Sequence, residues 1–219
     1  MVILKFNIDV SVLENFHVSE TFKILLKDGN KNNPFEKLSP AQFRTIRRRM
    51  IECILATDMA FHNKRFTEIT KLVEANKIKN GQNLELIITD NTSKNIEVQQ
   101  TILSECVHTA DLSSPAKVIE VCSKCTELVY SEFFHQGDVE LANNPEKPNI
   151  SFLCDRKTTN ISKSQIGFIT FVVYPQFEMI TNILPELDIY LVNITKNKKY
   201  YEKELEKESS IKKELENNK

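Results

Sequence analysis

The segment SPAQFRTIRRRMIECI, residues 39–54, decides the fold class. Ser39 can cap a helix, Pro40 suits the first helical position, and Gln42 can reach back as in a capping box. Phe43, Ile46, Met50, Cys53 and Ile54 then recur three and four residues apart, which is one buried helical face. The same spacing returns at Val98, Ile102 and Cys106, with Leu103 and Val107 beside them. Ser114-Pro115 opens another helix, with Val118, Val121, Cys122, Cys125, Leu128, Val129 and Phe133 along one side. That helix is expected to stop at Gly137, a natural C-terminal punctuator. A further helix is expected from about Asn160, carrying Ile161, Phe168, Ile169, Val172 and Val173, with Pro175 kinking or ending it. Residues 167–174 also read locally as a strand, and residues 84–89 are ambiguous in the same way.

Composition supports an all-α domain. The 219 residues are 41% hydrophobic and 27% charged, which is globular rather than disordered. Only 4 Gly and 7 Pro leave too little turn material for a many-stranded sandwich or barrel. Residues 28–38 and 142–160 read as loops, rich in Asn, Pro and Asp. Residues 196–219 are nearly all Lys, Glu, Asn and Tyr, and read as a solvated charged helix or frayed tail behind a domain at 1–195.

Charge excludes some partners. Lys+Arg 29 against Asp+Glu 30 gives a net charge of −1, which excludes broad electrostatic capture of nucleic acid or an anionic membrane. The triplet Arg47-Arg48-Arg49 therefore reads as a solvated or ion-paired helix face. No apolar run reaches the roughly 18 residues of a membrane span. Met1 to Val10 has neither the basic start nor the cleavage site of a signal peptide. Five cysteines is an odd count for a disulfide framework, so a reducing, intracellular setting is expected. Cys122 and Cys125 form a lone CxxC inside an amphipathic pattern, which reads as core rather than zinc.

Two places carry chemistry. Asp111 falls between one amphipathic helix and the start of the next, among small and apolar neighbours. Its carboxylate suits a hard divalent cation, or a helix cap. Gln165 and Phe168, three apart, share a helix face. A ring and an amide suit a planar heterocycle, the ring stacking and the amide meeting the base edge, but they equally suit a core Phe beside a boundary residue.

Five blocks then occur in order: SVLENFH at 11–17, ILATDM at 54–59, HTADLS at 108–113, EFFHQGD at 132–138 and SQIGFI at 164–169. Together they closely resemble the catalytic domain of class I cyclic nucleotide phosphodiesterases. The resemblance implies an all-helical fold and hydrolysis of the 3′,5′-cyclic phosphodiester of cAMP or cGMP to the 5′-monophosphate. It implies two divalent ions, zinc with magnesium or manganese, sharing a bridging hydroxide in the intact domain. It implies Asp111 as a zinc ligand, Gln165 as reader of the purine edge, and Phe168 with Val129 as the purine clamp. It implies Glu14 as support for metal-bound waters, with Met59 and Ser114 on the pocket wall. Asp111, Gln165 and Phe168 are then expected to face one cavity. The partner implied is a cyclic nucleotide, not nucleic acid. The family also leaves room for a homodimer of the intact protein and for a membrane anchor upstream of a domain on the cytosolic side.

The sequence also departs from the family. A His-Asn-x-x-His block and a His-Asp followed by His-Pro-Gly, which supply the acid histidine and most metal ligands, are absent from these 219 residues. None of His17, His62, His108 and His135 matches a family metal ligand. Phe16 replaces the usual first histidine of its block, and Ser114 stands where many cAMP-preferring members carry Asn. The expectation is a partial phosphodiesterase domain inactive alone. The alternatives are a non-catalytic nucleotide-binding module or a helical interaction module.

Overall fold

A computed structural model of the chain describes residues 9–27, 33–89, 92–143 and 150–217. The sequence readings on 1–8, 28–32 and 144–149 lie outside the described residues. Every repeating element among the described residues is helical, with one isolated bridge between Lys79 and Gln82. The all-α expectation holds. No helix among the described residues is long and apolar enough to cross a membrane.

The chain divides into two compact units. The first comprises residues 1–111 with 182–184. It contains α1 (Val12–Leu25), α2 (Pro40–Leu55), a 3₁₀ turn (Met59–Phe61), α3 (His62–Ala75), α4 (Leu84–Thr89) and α5 (Ser93–Asp111). The ambiguous segment 84–89 is thus helical. The capping box of α2 is complete: the Ser39 hydroxyl accepts from the Gln42 N–H at 3.3 Å, and the Ser39 N–H donates to the Gln42 side chain at 2.9 Å. α5 packs against α2, α3 and α4. Cys53, Ala56, Ile69, Val73, Ile87 and Val98 are buried in this unit. Each arginine of the basic triplet has a local partner. Arg47 lies over the Phe22 ring, Arg48 reaches Glu52, and Arg49 donates to Gln99.

The second unit comprises residues 112–181 and 185–219. It contains a 3₁₀ turn (Ser114–Ala116), α6 (Ile119–Asn143) and α7 (Ile161–Phe168). A π-helical segment (Ile169–Val173) leads into α8 (Tyr174–Ile183), and a 3₁₀ turn (Pro185–Leu187) into α9 (Asp188–Asn217). Ala116, Cys122, Ile169, Val173, Phe177, Ile194 and Tyr201 form its core. α9 packs along α7 and the 114–116 turn.

Three local expectations are corrected in this unit. Ser114-Pro115 opens a short 3₁₀ turn, and the long helix starts only at Ile119. That helix does not stop at Gly137; it runs to Asn143. Gly137 is there because a backbone passes over it: a Cβ would lie 2.1 Å from the Cys154 carbonyl oxygen. The buried side of α6 carries Cys122, Thr126, Tyr130 and Gly137, whereas Val118, Val121, Leu128 and Val129 are exposed. Of the two readings of residues 167–174 the helical one holds, and the helix continues past Pro175. The π-helical turns just before it loosen the i→i−4 ladder that a proline ring would otherwise strike. The charged stretch from residue 196 is helical, as part of α9, and Asn197 and Tyr201 on it are buried.

Candidate functional site

The first unit holds Glu14, Met59 and Asp111. Glu14 is half-buried in the first turn of α1. Ser11 precedes that helix in a left-handed conformation, φ 50°, and its hydroxyl donates to Asp58 Oδ2 at 2.6 Å. The other oxygen of Asp58 accepts from the Ala60 N–H at 2.8 Å and so caps the turn that carries Met59. One carboxylate thus joins the start of α1 to the Met59 turn. Met59 itself is exposed.

A second tie links that turn to Asp111. His62 opens α3 directly after it, and its Nδ1 lies 2.9 Å from His108 Nε2. Both rings are buried, His108 completely. One helical turn further along α5 from His108, Asp111 ends the helix with an exposed carboxylate. Arg65 and Glu105 form an ion pair at 2.8 Å between the same two helices, with the Glu105 side chain 1% exposed. Burial lowers the pKa of His62. For His108, burial and then the positive potential of His62 and Arg65 push it down to about 4, against a smaller opposing pull from Asp111. Both imidazoles are therefore neutral at pH 7, and one donates to the other. Sequence reasoning missed this pair, because the two histidines stand 46 residues apart and meet only across two helices.

The second unit holds Ser114, Val129, Gln165 and Phe168. α9 positions the Ser114 turn. The Asn197 amide donates to the Pro115 and Lys117 carbonyls at 2.8 and 2.7 Å, and Asn193 donates to Ala116 at 3.1 Å. α9 also fixes the start of α7, where Asn160 and Ser162 both donate to the Glu208 carboxylate at 2.6 and 2.9 Å. Asn160 in turn caps α7 by accepting from the Lys163 N–H. On that braced helix Gln165 is buried, and Phe168, half-buried, packs against the core one turn later. Val129 stands exposed on α6. Ser114 is half-buried.

The loop before α7 is held to α6. Arg156 grips Asp138 through two nitrogens, one at 3.1 Å, and lies over the Phe134 ring. Its guanidinium lowers the Asp138 pKa. Cys122 lies in the core, where burial raises its thiol pKa and Tyr201 donates to Thr126 beside it at 2.9 Å, while Cys125 is half-buried.

The ligands for two divalent ions are not assembled by these residues. Among the described residues no three His, Cys, Asp or Glu side chains converge as a metal ion requires. Asp111 offers one exposed carboxylate, which fits a single ligand position and not a two-ion centre.

Against known proteins, the profile described as 3′5′-cyclic nucleotide phosphodiesterase matches residues 2–194. The chain is 35% identical over 195 residues to the 3′,5′-cyclic-AMP phosphodiesterase 4C of Rattus norvegicus, covering 89% of this chain and 34% of that protein. It is 33% identical to isoform F of the Drosophila melanogaster 3′,5′-cyclic-AMP phosphodiesterase, covering 89% and 28%. The crystal structure of the phosphodiesterase domain of Salpingoeca rosetta rhodopsin phosphodiesterase superposes with a TM-score of 0.78 at 30% identity. It covers 98% of this chain and 60% of that one. The chain therefore spans about a third or less of the length of these curated relatives.

Proposed function

The chain belongs to the 3′,5′-cyclic nucleotide phosphodiesterase family, and on that premise we propose that it supplies the nucleotide-recognising part of an enzyme that hydrolyses cAMP or cGMP to the 5′-monophosphate. The observation that carries this reading is the Gln165–Phe168 pair, a buried amide one helical turn from a half-buried ring on a helix braced by α9. The amide presents a donor and an acceptor to the purine edge, while Phe168 and Val129 grip its faces. Asp111 gives one carboxylate to a divalent ion, Glu14 supports the water around it, and Met59 and Ser114 line the wall. Turnover needs further metal ligands and a proton donor for the 3′ oxygen. None of the four histidines of this chain fills those roles in the family pattern. An intracellular address fits the five free cysteines.

Calorimetric titration with cAMP and cGMP tests the reading. We expect measurable affinity for at least one of them, falling about tenfold or more in Gln165→Ala, the loss of one good polar recognition contact. A folded chain that binds neither nucleotide overturns it. The names of the relatives favour cAMP and Ser114 departs from the cAMP pattern, so the two titrations are compared directly.

A further inference from the structure

We propose that Thr159 is a phosphorylation site for a basophilic serine/threonine kinase, and that the added phosphate draws Arg156 away from Asp138. Two adjacent basic residues, one further residue and then a hydroxyl occur twice in the sequence, at Lys64-Arg65-Phe66-Thr67 and at Arg156-Lys157-Thr158-Thr159. A kinase with an acidic substrate groove reads such charges at three and two positions before the acceptor hydroxyl. In sequence the two matches are equal, and the fold separates them.

Thr67 lies inside α3 and donates to the Asn63 carbonyl of its own helix at 2.9 Å. Arg65 beside it is held by the buried Glu105 carboxylate. Neither reaches a kinase groove unless α3 unwinds. Thr159 lies instead in the loop before α7, outside any helix. Arg156, Lys157 and Thr158 are exposed there, and the Thr159 hydroxyl donates at the surface to the Phe152 carbonyl at 2.6 Å. The Arg156–Asp138 ion pair leaves both side chains about half exposed, so it is screened by water and yields readily to a competing anion.

The step transfers the γ-phosphoryl group of ATP. The bond from Thr159 Oγ1 to phosphorus forms as the bond from phosphorus to the β,γ-bridging oxygen breaks. ADP leaves, and the hydroxyl proton passes to a base of the kinase and on to solvent. The modified oxygen has no proton left for the Phe152 carbonyl, so that bond is lost. The phosphate carries a charge of about −2 and offers several acceptor oxygens to an arginine three residues away. A guanidinium binds such a group more strongly than it binds one exposed carboxylate. The loop then loses its ion pair to α6, just ahead of the helix that carries Gln165.

The test incubates the full chain with ATP, magnesium and the catalytic subunit of protein kinase A, and maps the product by fragment mass spectrometry. We expect one phosphate per chain, on Thr159, absent from Thr159→Ala and retained in Thr158→Ala. Lys157→Ala keeps the Arg156–Asp138 pair and should slow uptake about tenfold. Melting checks that each variant is folded. In the phosphorylated chain the amides of residues 155–158 should exchange faster than in the unmodified one, with those of α3 unchanged. Uptake that survives Thr159→Ala, a phosphate on Thr67, equal uptake by Lys157→Ala, or a folded chain that takes up none overturns the proposal. Unchanged exchange across the loop of the phosphorylated chain also overturns it, because Arg156 has then not left Asp138.

Discussion

His108 has no exposed surface and shares its one hydrogen bond with His62 from a helix 46 residues earlier. The groups facing it are His62, Arg65 and Asp111, and two of these three disfavour its charge. An unfolded histidine takes its proton near pH 6.5, whereas this one waits until about pH 4. Between those values the unfolded chain binds more protons, so stability is full above about pH 6.5 and falls steadily toward pH 4. Urea unfolding at pH 7.5, 5.5 and 4.5 should show that decline, and His108→Asn should flatten it even though it lowers stability at pH 7.5. A decline of the same steepness in the variant would assign the pH dependence elsewhere. Gly137 makes the second prediction at this scale. Alanine is the better helix former by about 1 kcal/mol, yet here its methyl would strike a backbone carbonyl that cannot rotate aside. Gly137→Ala should therefore cost about 1–3 kcal/mol, read as a lowered urea midpoint, and a stabilised variant would contradict the close approach.

Elements were legible where their signals are local. The cap of α2 needed only residues three apart in sequence, and it formed as read. Ser39→Ala should cost about 1 kcal/mol, visible as a shifted thermal midpoint. Signals that depend on distant chain were not legible. Gly137 looked like a stop because Gly usually ends helices; its real constraint is Cys154, 17 residues away. The apolar residues of α6 suggested one buried side, but Thr126 is buried in place of Leu128 because Tyr201 of α9 reaches it. Pro175 read as a kink or an end, and the choice was not legible because the π-helical turns before it leave no mark in hydrophobic spacing. The charged composition of α9 hid its structural part, in which Ile194, Asn197 and Tyr201 are buried and Tyr190 and Leu191 pack against the core. Asn197→Ala removes two donors from otherwise turn-bound carbonyls, so it should cost about 2–3 kcal/mol. It should also loosen the Ser114 turn, seen as faster amide exchange at Ala116 and Lys117. A silent substitution would mean that water replaces the side chain at no cost.

For the whole molecule, the balance between recognition and chemistry decides what the chain can do alone. The family was legible through its ordered blocks, because that is a matter of residue identity. The polar braces that hold the site helices were not, because they join residues 46 to 82 positions apart. A two-ion hydrolytic centre needs several protein ligands on each ion to hold a bridging hydroxide at neutral pH. The proposed reading gives a metal ion one carboxylate of this chain, Asp111, and among the described residues no three His, Cys, Asp or Glu side chains converge to hold an ion. One exposed carboxylate binds a divalent ion weakly, since its charge stays screened by water and its partner oxygens are solvent. The purified 219-residue chain should therefore retain well under one zinc per molecule after gel filtration, read by elemental mass spectrometry. It should not hydrolyse cAMP or cGMP above the buffer rate with millimolar magnesium or manganese. Stoichiometric zinc together with turnover that Asp111→Ala abolishes would falsify this account. It would show that residues outside the family pattern complete the centre.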